Sequence, residues 1–224
     1  MDFEFYFKWV MSAKSVLDIG CGTGALLHMA RDAGHKGRLC GLDPAPGMLA
    51  QVRKRGDIEW TLGDLSSVQF DGEFDLVVMT GHAFLVLVGD DEIRGALTAI
   101  HRALTDNGRF AFETRNPLVR EWERWTPDKS AEVTDSDGTV VRLSREVQRV
   151  NGDTVSFSHT FTSPVWEKPQ MSRSTLRFLD ARRLSAFLSD AGLKIENQFG
   201  NWDGSALTDS SREIITIARS VGFA

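Results

Sequence analysis

The chain has 224 residues, 42% of them hydrophobic and 25% charged, which fits one folded domain and excludes a disordered or collagen-like chain. With 26 Lys and Arg against 31 Asp and Glu the net charge is −5, so a general nucleic-acid binder with a basic footprint is not expected. No run of about 18 apolar residues occurs, so neither a membrane-spanning helix nor a membrane partner is expected.

Met1–Lys14 is rich in aromatics (Phe3, Phe5, Tyr6, Phe7, Trp9) and carries Asp2 and Glu4 where a secretory leader would be basic. Ser15–Ile19 is a short β-prone run that ends in Gly20-Cys21-Gly22-Thr23-Gly24. Ala25–Ala33 reads as a helix stopped by Gly34, and Arg38–Leu42 as a second strand ending at Asp43-Pro44. Met48, Leu49 and Val52 share one face of a second helix, stopped by Gly56, and Ile58, Trp60 and Leu62 alternate as a third strand before Gly63-Asp64-Leu65. An Asp71-Gly72 turn leads into Phe74–Met79, an apolar run suited to a central parallel strand. Ile93, Leu97, Ile100 and Leu104 recur at helical spacing up to a stop at Asn107-Gly108, and Arg109–Thr114 is a fifth strand. This alternation predicts an α/β fold, doubly wound on a mostly parallel sheet.

The rhythm changes at residues 130–179, read as a small antiparallel β insertion of three strands within the single domain 1–224, lying over the substrate side. Asp137-Gly138 and Asn151-Gly152 are hairpin-turn dipeptides, and Val155, Phe157, Phe161 and Val165 fall on one strand face. Asp180 is expected to cap a helix over Ala181–Ala191, stopped by Gly192, and Leu193–Phe199 with Glu213–Ala218 to close the chain as an antiparallel pair. The two cysteines, Cys21 and Cys40, are too few for a disulfide framework or a cysteine-rich zinc site, so a reducing cytoplasm is expected.

The Gly-rich turn between strand and helix lets a ligand approach the backbone and offers it free N–H groups. Gly20, Gly22 and Ala25 also satisfy the relaxed dinucleotide pattern, so flanking chemistry must decide. Asp18, two residues before the first glycine, would repel a pyrophosphate but suits an ammonium, so the amino-acid tail of S-adenosylmethionine fits better. Asp43 lies 19 residues after Gly24, where a carboxylate can accept both ribose hydroxyls, a placement that NAD would share. Asp64, 21 residues further, can accept from an adenine amino group while the Leu65 N–H donates to the ring.

These residues resemble a known family. Val16–Gly24 is similar to the first motif of class I S-adenosylmethionine-dependent methyltransferases, Gly41–Leu49 to the second, Gly63-Asp64-Leu65 to the third and Phe74–Met79 to the fourth strand. The resemblance implies a seven-stranded sheet with an antiparallel C-terminal hairpin and S-adenosylmethionine as cofactor. It implies the 20–24 loop (Gly20, Cys21, Gly22, Thr23, Gly24) under the methionine part, Asp43 on the ribose, Asp64 near the adenine amine, and Pro44 and Met48 packed on the adenine. Trp122, Trp125 and the insertion look like small-molecule methyltransferases of bacterial type. The short N-terminal segment departs from relatives with covering helices, and its aromatics are read as the remnant of such a cover. No acidic pair is placed to bind a metal, so none is expected.

Methyl transfer is an in-line displacement governed by positioning, with a base needed where the acceptor must lose a proton. Thr80-Gly81-His82 follows the fourth strand at the sheet edge; Thr80 and Gly81 are expected beside the cofactor, and His82 either contacts cofactor or acceptor or is a turn residue bonded to backbone. His159 is the second catalytic candidate, against a packing role between Phe157 and Phe161. Trp122 and Trp125 are read as core packing or as an acceptor wall, and Arg115 and Asn116 as a polar-substrate site or an edge cap. Arg142, Arg145, Arg149, Arg173 and Arg177 read as a solvated strand face rather than an anion site, and His28, His35 and His101 as surface residues. The expected function is methyl transfer to a small-molecule acceptor. The alternatives are a nicotinamide-dependent oxidoreductase, which would have an apolar residue at position 18 and a parallel sixth strand, and a non-catalytic S-adenosylmethionine-binding protein.

Overall fold

The computed structural model describes residues 2–52, 55–134 and 137–221; the side chain of Phe3 lies outside the described residues. In chain order, α1 (Asp2–Ser12) leads to β1 (Ser15–Ile19), α2 (Ala25–Asp32), β2 (Arg38–Asp43), α3 (Pro46–Gln51), β3 (Glu59–Leu62) and β4 (Phe74–Met79). A 3-10 turn at Ala83–Val86 precedes α4 (Asp90–Ala103) and β5 (Leu104–Arg115). Short 3-10 turns at Pro117–Val119 and Glu121–Arg124 then lead to β6 (Ala131–Thr134), β7 (Val140–Asn151), β8 (Thr154–Thr162) and β9 (Gln170–Arg177). The chain closes with α5 (Ala181–Asp190), β10 (Leu193–Phe199) and β11 (Glu213–Ser220).

The main sheet has the order β10-β11-β5-β4-β1-β2-β3, with β11 antiparallel to both its neighbours and the other pairs parallel. The chain winds from β1 out to β3, then returns to β4 on the other side of β1. That reversal opens a crevice at the carboxyl ends of β1 and β4, the place where open α/β sheets bind ligands.

Two apolar layers cover the sheet because its central strands are apolar on both faces. Leu17, Val77, Phe110 and Phe112 join Ile93, Leu97, Leu184 and Leu188 of α4 and α5 on one face. Val16, Leu76, Val78 and Ala111 join Tyr6 and Val10 of α1 and Leu26, Leu27 and Ala30 of α2 on the other. Helix ends follow the expected chemistry. Asp180 accepts from the Arg183 N–H at 2.7 Å, and Glu92 of the acidic first turn of α4 accepts from the N–H groups of Val88 and Gly89 at 2.9 and 3.2 Å.

Several expectations are corrected. The aromatic N-terminal segment is a helix packed into the α2 layer, with Phe5 edge-on to Phe199 and Trp202 at 5.6 and 6.0 Å, rather than the remnant of a cover. The second sheet has four strands, β6-β7-β8-β9, because β6 is exposed along its whole length and shows no apolar alternation. Val165 lies beyond β8 and is 69% exposed. Gly108 stops no helix: β5 starts directly after α4, and a Cβ at Gly108 would stand 2.8 Å from the Phe74 carbonyl oxygen. His28, His35 and His101 are buried, not superficial. The His28 ring lies 5.2 Å from Trp60, and His35 and His101 bond the carbonyl oxygens of Ala13 and Val221. Apolar periodicity cannot see a histidine that faces inward to satisfy a backbone group.

Candidate active site

The turn after β1 is set by backbone conformation. Gly20, Gly22 and Gly24 have φ of 71°, 56° and 71°, a left-handed region where a side chain is strained. At Gly24 the neighbour is also decisive: a Cβ would stand 2.2 Å from the Trp60 indole, so this glycine makes room for a protein side chain. At Gly22 nothing lies within 4 Å of a Cβ, so that backbone faces open space. Asp43 ties this turn to the end of β2, its carboxylate accepting from the Gly22 and Ala45 N–H groups at 2.8 Å each. Asp64 is exposed and oriented from its own loop, where Oδ1 accepts from the N–H and hydroxyl groups of Ser66 and Ser67. Those bonds, the Ser66 hydroxyl foremost, hold its carboxyl below the ordinary range.

A cavity of about 620 Å³ lies against this edge, within the range of small-ligand pockets. Gly20, Asp43, Pro44, Gly63, Asp64 and Leu65 line it, as expected for cofactor contacts. Asp18, Cys21, Gly22, Thr23, Gly24, Met48, Thr80 and Gly81 are not among its lining residues. Met48 is 46% exposed on α3, which has no buried residue. The opposite wall was missed: Ala83, Val86 and Leu87, with Asp91, Glu92, Gly95 and Ala96 of α4. Its signal in the sequence is the unassigned apolar run Ala83–Leu87.

Beside the cavity the polar residues are acidic and buried. Asp18 is 1% exposed, and its Oδ1 has no hydrogen-bond partner among the described residues. Burial, then the charges of Glu113 and Asp43, push its carboxyl up to about 8. Glu113 of β5 is fully buried and also held above the ordinary range by burial, while it accepts from the Tyr6 hydroxyl of α1 and from the His82 N–H at 2.6 Å. His82 has φ 63°, left-handed for a non-glycine residue, and is held there from two sides. Its Nε2 stands 2.8 Å from the Glu213 carboxylate at the start of β11, with the imidazole 23% exposed. His82 is thus a turn residue, but its side chain bonds an acid rather than backbone. A carboxylate only accepts, so with Glu213 ionised Nε2 carries a proton, and in the neutral ring Nδ1 is then the nitrogen with the free lone pair.

An orphaned, buried carboxylate oxygen among three acids is a place for a cation. S-adenosylmethionine, with its ammonium and sulfonium, fits this donor set; a pyrophosphate does not. Among the described residues no group of three or more His, Cys, Asp or Glu is placed to hold a metal ion. Burial pushes the Cys21 thiol up, so it is not an activated thiolate, and burial pushes Cys40 up to about 11.

The other candidates lie in or beside the second sheet. His159 stands opposite Arg145 in the β7–β8 register, and its Nε2 accepts from the Arg145 Nε–H at 2.9 Å. Burial and that guanidinium hold the imidazole below its ordinary value, so it is a neutral ring with its proton on Nδ1. Trp122 and Trp125 are both 8% exposed and pack on Val155, Phe157 and Phe178, as the packing reading requires. Asn116 caps the edge: its Nδ2 donates to the carbonyls of Thr208, Asp209 and Ser211 and its Oδ1 accepts from the Leu118 N–H.

A methyltransferase-domain family matches residues 16–108. The cypemycin N-terminal methyltransferase of a Streptomyces species is 27% identical over 93% of this chain and 86% of its own length. Three other curated relatives match over about half of their length or less, while the dTDP-4-amino-2,3,4,6-tetradeoxy-D-glucose N,N-dimethyltransferase of Saccharopolyspora spinosa is 23% identical over 87% of this chain and 77% of its own length. Among solved structures, a S-adenosylmethionine-dependent methyltransferase from Clostridium acetobutylicum superposes with a TM-score of 0.78 at 15% identity, covering 99% of this chain and 93% of that one. The S-adenosylmethionine-bound CalS10 amino pentose methyltransferase from Micromonospora echinaspora superposes with a TM-score of 0.73 at 21% identity, covering 98% and 90%. A nicotinamide enzyme would have closed with a parallel strand, whereas β11 runs antiparallel to β5 and β10. The family match spans the glycine turn and the strand ends carrying Asp43 and Asp64, and the fold match spans the whole sheet, so the chain carries a methyltransferase domain on the fold of S-adenosylmethionine-dependent methyltransferases and is read as such an enzyme.

Proposed function

We propose that the enzyme methylates an amino nitrogen of a small molecule, with His82 as the base that frees it. The observation that carries this reading is the His82–Glu213 pair at the sheet edge beyond β4. Bound S-adenosylmethionine supplies an electrophilic methyl group on a sulfonium. Asp43 and Asp64 hold its ribose and adenine ends, Gly20 and Leu65 offer backbone contacts, Pro44 packs beside the base, and Asp18 neutralises its cationic tail. An amine reaches the site as an ammonium and must lose a proton before it can attack. His82 takes that proton on Nδ1, and Glu213 holds the ring in the required tautomer and stabilises the imidazolium. The buried acids Glu113 and Glu213 favour the approach of the ammonium. The names of the cypemycin N-terminal methyltransferase and of the sugar N-methyltransferase KedS8 point to nitrogen in the same way.

We read residues 130–179 as a lid over the acceptor side. Arg177, 7% exposed, supports this by joining β9 to the main body through Asp90 at 2.6 Å and the Val88 carbonyl at 2.9 Å. Free cysteines and the absence, among the described residues, of a helix fit to cross a membrane support a cytoplasmic location.

His82→Gln tests the reading. Turnover with a panel of primary amines falls about 10²–10⁴-fold, while calorimetric affinity for S-adenosylhomocysteine stays within about twofold. Unchanged turnover removes His82 from the chemistry.

A further inference from the structure

We propose that the acceptor carries an anionic group, a carboxylate or a phosphate, and that Arg115 and Arg145 hold it between the end of β5 and the face of the second sheet. The inference deepens the methyl-transfer reading and rests on it for the statement that the anion belongs to the acceptor.

The argument starts from a contrast among the arginines. Several near the insertion are ion-paired: Arg142 with Glu132, Arg177 with Asp90 and Asp153, Arg212 with Glu121 and Arg120 with Glu123; Arg149 and Arg173 have no ion pair among the described residues but are exposed. Arg115 and Arg145, both half-buried, form no ion pair among the described residues. The Arg115 guanidinium makes no hydrogen bond among them either, and Arg145 uses only Nε–H of its side chain, on His159, which leaves both its Nη groups undirected. A guanidinium has five N–H donors in a planar fork, and half-buried donors are ordinarily matched. Burial, then the charge of Arg115, lowers the tendency of Arg145 to hold its proton, with Glu121 acting in the opposite sense. Like charges kept close in a partly dry gap suit a shared anion, which can take a bidentate bond from one fork and a second bond from the other.

The surroundings agree. Arg145 walls a cavity of about 340 Å³ with Trp125, Leu143, Arg124 and Lys129. The one acid of that lining, Glu121, is already taken by Arg212 at 2.7 Å. Arg145 lies 5.8 Å over the Trp125 ring, and His159 fixes its Nε while keeping Nδ1–H as a further donor. His159 is therefore a positioning residue for Arg145 and not a base. Arg115 pairs in register with Glu213, the residue that holds His82, so the anion subsite adjoins the proposed amine subsite. The acceptor this describes has an amine at one end and a carboxylate or phosphate at the other.

The test is a titration of the S-adenosylhomocysteine-loaded enzyme with inorganic phosphate, and separately with acetate, at constant ionic strength. The Trp125 indole and His159 imidazole NMR signals report the site. The proposal expects saturable shifts with at least one anion; phosphate alone identifies a phosphate acceptor and acetate alone a carboxylate one. Arg145→Gln and Arg115→Gln each weaken that binding at least about tenfold, while Arg173→Gln, on exposed β9, leaves it unchanged. Arg145→Lys keeps the charge but not the fork and falls between. No shift with either anion, or binding that survives both glutamine variants in folded protein, overturns the proposal. The readout needs no turnover, so loss of the amine reading alone would leave this result intact.

Discussion

The two sheets place their charges in opposite ways. At the edge of the seven-stranded sheet the buried ionisable side chains are acids: Asp18, Asp43, Glu113 and Glu213. In the four-stranded sheet the half-buried groups are the Arg145 guanidinium and a neutral His159, and Arg177 is buried at its root. The first arrangement favours a cation at the carboxyl ends of β1 and β5, and the second favours an anion facing it.

Three measurements sharpen or break that comparison. The largest effect concerns Asp18. Its folded-state carboxyl, pushed up to about 8, binds a proton that the unfolded chain has already released. The folded state therefore binds more protons between the ordinary carboxylate range and about 8, and stability of the cofactor-free enzyme falls as pH rises through that window. The slope is at most about 1.4 kcal/mol per pH unit, and Asp18→Asn flattens it in denaturant melts taken across the window. A pH-independent wild-type midpoint would mean that Asp18 is not the uncompensated acid described above.

Next comes Asp43, which makes two charge-assisted bonds to the turns it joins. Asp43→Ala loses them and the ribose contact, and S-adenosylhomocysteine binding weakens by about 10²-fold, read by calorimetry. The smallest effect tests the second sheet. Arg177→Ala removes its bonds to Asp90, Asp153 and the Val88 carbonyl, and amide exchange in β8 and β9 speeds up by about tenfold while β1, β4 and β5 keep their protection. Equal loss in both sheets would show that the insertion has no independent opening.

The parallel half was the more legible because its signals are local. Glycines with positive φ, a carboxylate closing each strand and the unbroken apolar run Phe74–Met79 are consecutive features of one segment. The antiparallel half was read from two turn dipeptides and from alternation, which missed exposed β6 and assigned Val165 to a strand that ends at Thr162. Met48 shows the limit within the readable half: a motif position on a short helix with no buried residue takes its surroundings from elsewhere.

By itself the sequence determined the order of elements, the glycine turn, the placing of Asp43 and Asp64 at strand ends that line one cavity and the antiparallel closing pair. Backbone conformation and strand-end position are properties of a few adjacent residues. Only the tertiary structure decided that His82 meets Glu213 across 131 positions and that Tyr6 reaches Glu113 across 107. Those pairings depend on strand order and register between distant segments, which fix side-chain neighbours that no local pattern encodes.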